Sequence, residues 1–337
     1  MKINVKSDVL TAATHEGGPA YGNLTPLQNL RRSLLSCLLW EDGFYENGED
    51  VAERIFSLAL ECDSCKVADL AIEARTKHNL RHAPLLLLLA LAKTASGTSL
   101  LSETMPKVIL RADELAELVA IYWKEGKKPL SAQMKKGLAK SIMNFGAYSI
   151  AKYNRDGVVR LRDVMFLTHP KPIGKEKEEL FKNLADKTLK SPDTWEVALS
   201  GGADKEETFE RLIKEGKLGY LALLRNLRNM YNSCVDPCII EYGLKNAKGI
   251  EKVLPFRFVA AARAVPHLES MIDEAFIRRI GMVRPLHGRT VVLVDVSGSM
   301  EEQLSARSDM TRLDAASALA SIISGDSVRV ITFSNLS

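Results

Sequence analysis

Between Lys124 and Lys177 the sequence sets 13 lysines and arginines against 4 acidic residues, a local net of +9, whereas the whole chain of 337 residues carries only +4. Everything outside that window therefore sums to −5. Lys124, Lys127, Lys128, Lys135, Lys136 and Lys140 come first, followed by Lys152, Arg155, Arg160, Arg162 and Lys171. Concentrated positive charge on a mildly acidic remainder is the footprint of a polyanion-binding surface. Tyr148, Tyr153, Asn154 and His169 lie among these cations and can stack on, or hydrogen-bond to, unpaired bases, which favours RNA. The plain alternative for such a run is a solvated helical face.

A second set with chemical capacity is Asp295-x-Ser297-x-Ser299, directly after the apolar run Val291-Val-Leu-Val. One carboxylate and two hydroxyls suit a hard divalent cation such as Mg²⁺, and ligands of open α/β sheets bind where strands end. The competing reading is a strand-end turn whose Asp and Ser side chains satisfy one another. Five cysteines without a signal peptide argue for reduced thiols. Cys62-x-x-Cys65 and Cys234-x-x-x-Cys238 fit core packing better than zinc, since Cys62 and Cys65 sit in a helical run without a knuckle. There is no Gly-x-Ser-x-Gly, phosphate loop, His-Glu-x-x-His or dinucleotide fingerprint, and no acid or base accompanies Asp295. The expected chemistry is non-covalent binding, not an enzyme's.

These residues must be positioned by a mostly helical chain. Hydrophobic content of 46% and charged content of 26% are those of a globular protein with room for about two domains. The first residues lack a signal-length apolar core, and the run from Ala83 to Ala92 is too short to span a bilayer, so a cytoplasmic, non-membrane protein is expected. Residues 1–23, with Gly17, Gly18, Pro19 and Gly22, predict a flexible arm. Thr25-Pro26 opens a helix with a threonine cap and proline in its first turn. Phe44 to Glu49, with Asn47-Gly48, predicts a small hairpin. From Asp50 to about Ile280 helix follows helix, which suggests a HEAT-like helical-repeat array. At Gly288 the class changes. Val291-Val-Leu-Val reads as a strand buried on both faces, followed by a helix from about Arg312 to Ile323 and a strand from Val328 to Phe333.

Several blocks also resemble one family in its own order. LRRSLLSCLLWEDGFYENGEDV, LRHAPLLLLLALAK, KYNRDGVVRLRDVMFLTHPKP, GKLGYLALLRNLRNM and VLPFRFVAAAR are similar to segments of the TROVE domain of Ro ribonucleoproteins, over roughly residues 20–285. The run from Val291 to Met300 resembles the first strand and metal loop of a von Willebrand factor A domain, which follows TROVE in that family. The resemblance implies a mostly α fold: a ring-closed helical-repeat TROVE domain over 24–286, then an incomplete α/β von Willebrand factor A-like segment over 287–337. It implies a protein of RNA quality control, whose outer basic face holds a Y-like noncoding RNA and whose ring admits single-stranded ends of structured or misfolded RNAs. Lys152 and His169 match the family's RNA-contacting Lys and His. Tyr153, Arg155, Arg160, Arg162 and Lys171 are their neighbours, and Lys135, Lys136 and Lys140 extend the surface toward phosphates. An exoribonuclease is a further implied partner. The family's metal site takes additional Thr and Asp ligands from later loops, so a second polypeptide completing this segment is also expected. The rival reading is a protein scaffold that uses the concave helical surface and the metal loop.

Overall fold

The architecture was taken from a computed structural model, which describes residues 12–13, 19–20, 24–36, 48–304 and 308–334. Within the N-terminal arm, β1 (Ala12–Ala13) pairs antiparallel with β2 (Pro19–Ala20). The chain then divides into two units, residues 1–191 and 192–337. The helical stretch 24–286 is thus shared between them, and residues 287–337 lie in the second.

The first unit contains α1 (Pro26–Leu35), α2 (Gly48–Leu60), α3 (Ser64–Thr76), α4 (Ala83–Thr94), α5 (Leu100–Val108), α6 (Asp113–Tyr122), α7 (Ala132–Ile142), α8 (Ala147–Tyr153), α9 (Leu161–Thr168) and α10 (Lys175–Asp186). The start of α1 is fixed by its sequence: Thr25 Oγ1 accepts the Gln28 amide at 3.3 Å and Gln28 Oε1 accepts the Thr25 amide at 2.9 Å. Asp63 and Ser131 cap α3 and α7 with the side-chain half of that arrangement alone, accepting amides of the first turn. The hairpin expected at Phe44 to Glu49 falls largely outside the described residues, and its last two positions, Gly48 and Glu49, begin α2 instead. Leu-rich α4 is apolar nearly all round because it is central: α2, α3, α5 and α6 all pack against it.

Two polar features inside this unit are structural. Arg75, buried on α3, donates to Glu114 Oε1 at 2.6 Å, to Val108 O at 3.1 Å and to Leu80 O at 3.3 Å. Glu114 Oε2 in turn accepts the amides of Leu110 and Arg111, 2.9 and 3.1 Å away, and so holds the start of α6. The second feature is Gly137, where α7 crosses α5 closely. A Cβ there would strike Met105 Sδ and come within 3.1 Å of Ser102 Cα. Gly137→Ala should therefore destabilise by about 1–3 kcal/mol through overpacking, although alanine is favoured in a free helix by about 1 kcal/mol. Urea denaturation checks this; a stabilised variant would show that the crossing gives way freely.

The second unit contains α11 (Trp195–Ser200), α12 (Lys205–Lys214), α13 (Tyr220–Asn232), α14 (Pro237–Asn246), α15 (Phe256–Ala264), α16 (Glu269–Ile280), β3 (Leu286–Asp295), α17 (Arg312–Ser321) and β4 (Gly325–Phe333). Its core is aromatic at the centre: Tyr220 faces Phe258 at 6.0 Å, Phe258 stacks on Phe276 at 5.4 Å, and Tyr220 Oη donates to Leu244 O at 3.0 Å. β3 and β4 run parallel, with Val291 opposite Arg329 and Asp295 opposite Phe333. The ladder shifts between Leu286 and Arg289, where Gly288 takes φ +85°. α17 packs on β3, and its Asp314 carboxylate takes both guanidinium nitrogens of Arg263 on α15, at 2.6 and 2.7 Å. This ties the strand segment to the second unit's helices.

The burial expected for Val291-Val-Leu-Val is corrected here. Val294 is buried, but Val291 and Leu293 are 57% and 64% exposed. α17 covers one face of the strand pair, and among the described residues no further strand pairs with β3 or β4. No helix among the described residues is long and apolar enough to cross a membrane.

Candidate nucleic-acid interface

In the first unit, α8 is a two-turn helix whose Tyr148 and Lys152 stand one turn apart. The Lys152 ammonium lies 5.6 Å from the centroid of the Tyr148 ring and 5.9 Å from that of Tyr153. The Arg111 guanidinium also lies over Tyr153, 4.6 Å from its ring centroid. Arg111, Tyr153, Lys152 and Tyr148 thus form an alternating cation–ring ladder, each step contributing about 0.5–1 kcal/mol where exposed. Arg111 is aimed by Asp113, which accepts its Nε and terminal nitrogen at 3.2 and 2.8 Å. Asp113 also accepts from Arg81 at 2.7 Å, and Arg81 contacts Glu117. The ladder therefore rests on an ion network at the head of α6, next to the buried Arg75–Glu114 pair.

Past α8 the chain turns through exposed Arg155 to Arg160, which precedes α9. The Arg160 guanidinium pairs with Asp156 at 3.1 Å and its amide donates to Asp163 at 2.9 Å, so part of its charge is already answered. On α9, Arg162 lies 5.2 Å from the centroid of Phe166, one turn on, and Phe166 is half exposed. Arg162 Nε is buried with no hydrogen-bond partner among the described residues. His169 closes α9 in the left-handed region at φ +45°, its amide donating to Met165 O at 2.9 Å and its side chain exposed. Buried Pro170 follows, then exposed Lys171.

Lys135, Lys136 and Lys140 are exposed on α7, which buries Met134, Leu138 and Ile142 and packs against α9. Other members of the basic block are engaged elsewhere. Lys124 pairs with Glu49 at 3.1 Å, Lys127 and Lys128 lie over Trp123 and Tyr122, and Lys177 donates to Phe145 O, with burial pushing its ammonium down. The structure thus joins Lys152 and Tyr153 in one ladder and brings α7 and α9 together. It adds Arg111 and Phe166. Phe166 was readable as the residue four after Arg162; nothing near Arg111 pointed to Tyr153.

Asp295, Ser297 and Ser299 lie in the second unit, at the carboxyl end of β3. Asp295 Oδ1 accepts the Ser297 amide at 2.8 Å, which holds the carboxyl below its usual range. The two serine hydroxyls lie 3.2 Å apart. Three side chains bearing oxygen donors suit a hard cation, while the Asp295 contact is that of a self-satisfied turn. No three His, Cys, Asp or Glu side chains gather as a metal cluster among the described residues.

Residues 182–301 match the model of the TROVE domain family. Over 89 residues, 25% of this chain, the sequence is 34% identical to telomerase protein component 1 of Mus musculus and 33% identical to that of Rattus norvegicus. The match spans 3% of the length of each of those relatives. Among solved structures, the Deinococcus radiodurans RO (RSR) protein superposes with a TM-score of 0.63 at 19% identity, covering 92% of this chain and 75% of that one. That likeness gives the fold: a helical body followed by the parallel strand pair.

Proposed function

We propose that this chain, which matches the TROVE domain model over residues 182–301 and has the fold of a Ro protein, binds RNA and holds it without chemical change. The observation that carries this is the ladder of Arg111, Tyr153, Lys152 and Tyr148, in the same unit as exposed His169 and the exposed lysines of α7. Cations fixed over rings meet phosphates at small further entropic cost, and exposed rings offer faces to splayed bases. A Y-like small noncoding RNA and single-stranded ends of structured or misfolded RNAs are the ligands this reading names, with an exoribonuclease as a functional partner. Asp295, Ser297 and Ser299, in the second unit, would offer Mg²⁺ part of a ligand set.

Anisotropy titrations of an unstructured single-stranded RNA, at salt from 50 to 200 mM, test both points. With about six phosphate contacts, log K should fall with log[salt] at a slope of roughly −4. Adding EDTA should leave the affinity unchanged. A slope near zero would sink the phosphate reading, and a loss on chelation restored by Mg²⁺ would bring the Asp295 loop into the RNA site.

A further inference from the structure

The second unit carries a basic face that the first unit's site does not use. α13 holds Arg225 and Arg228 and no acidic residue; α15, packed beside it, holds Arg257 and Arg263 and none either. No Asp or Glu occurs from Gly216 to Val235 or from Lys252 to Leu268. Arg263 is answered by Asp314. Arg225 and Arg228 are exposed and, among the described residues, pair with no carboxylate. Leu221, Arg225, Arg228 and Asn232 fall on one stripe of α13 at successive turns.

The face is also shaped at one end. Arg228 Nε donates to Ala264 O at 3.4 Å, so its guanidinium reaches the last residue of α15. Three residues on, Tyr231, 45% exposed, stacks on His267 with ring centroids 5.3 Å apart and planes 19° from parallel. A guanidinium and a two-ring stack therefore meet where α15 ends. The acids nearest along the chain are Asp236, which caps α14, and Glu269, which begins α16.

We propose that this face is a single-stranded RNA contact of its own, with Arg225 and Arg228 on backbone phosphates and the Tyr231–His267 stack receiving a base. It rests on the RNA-binding reading above and adds a surface in the other unit. Arginine forks match phosphate oxygens, and a ring stack extends by one more flat base. An acidic protein would use the charges and leave the stack idle.

Three variants of the full chain test this against the same unstructured RNA, with thermal melts to confirm folding. Removing two phosphate contacts in Arg225→Ala/Arg228→Ala should make the salt slope less negative by about 1.4. Arg225→Lys/Arg228→Lys keeps both charges and should keep the slope. Tyr231→Leu should weaken binding about tenfold with the slope unchanged, because stacking releases no counterions. If the alanine pair binds like the parent while loss of Lys152 and His169 still weakens binding, this inference falls and the first-unit site stands. If the parent itself does not bind RNA, the functional reading fails first. If polyglutamate binds and only that binding needs the two arginines, the face belongs to an acidic protein and the RNA assignment is overturned.

Discussion

Arg75→Met should lower the unfolding free energy by about 3–5 kcal/mol, the usual result of orphaning one member of a buried ion pair. Glu114 is fully buried, and Arg75 Nη2, 2.6 Å away, is its cationic partner. The same substitution also strands the carbonyls of Val108 and Leu80. Burial pushes the Glu114 carboxyl above its ordinary range, with Arg75 pulling the other way. Without Arg75 that upward shift grows. A carboxyl whose folded pKa is raised favours folding while protonated and loses that contribution as pH rises through the folded pKa. The deficit of Arg75→Met should therefore be small in acid and full at neutral pH. Arg75→Met/Glu114→Gln should recover much of it, because glutamine carries no charge yet can still accept the amides of Leu110 and Arg111. Urea denaturation at several pH values reads all of this. A loss under 1 kcal/mol at neutral pH would mean that water reaches Glu114 once the arginine is gone.

Where the sequence was legible, local chemistry made it so. Thr25-Pro26 announced α1 because a capping hydroxyl and a proline with no amide to lose both favour a first turn. The basic block was legible as charge but not as a surface. Counting cannot tell Lys152, held over two rings, from Lys177, spent on the Phe145 carbonyl. Arg111 was invisible for a different reason. Its role depends on the turn before α6 reaching Tyr153 at the end of α8, a contact between segments far apart in the chain, and only Asp113 beside it hints that its head is fixed. The run Val291-Val-Leu-Val misled on burial. Composition reports how apolar a strand is, whereas coverage depends on what packs over it, and here α17 covers one face.

Lys152→Ala/His169→Asn should weaken binding of unstructured RNA about 100-fold while leaving circular dichroism and melting unchanged. A hydrogen bond to a charged group contributes about 1.5–3 kcal/mol, and each 1.4 kcal/mol is tenfold in affinity, so two contacts at the low end reach that figure. The substitutions are chosen so that folding survives. Lys152 is half buried, but among the described residues its ammonium is held only over the Tyr148 and Tyr153 rings, and each cation–ring step contributes about 0.5–1 kcal/mol. His169 sits at φ +45°, where alanine would be strained, whereas asparagine tolerates the left-handed region and keeps the end of α9 in place. The imidazole is then the main thing removed at that position. Arg111→Ala provides a third arm: it deletes the outer rung of the ladder and should cost less than the double variant, because Lys152 stays over its rings. Equal affinity for the parent and the double variant, with both folded, would take α8 and α9 out of the binding surface and leave the exposed lysines of α7 and the arginines of α13 as the cations to test next.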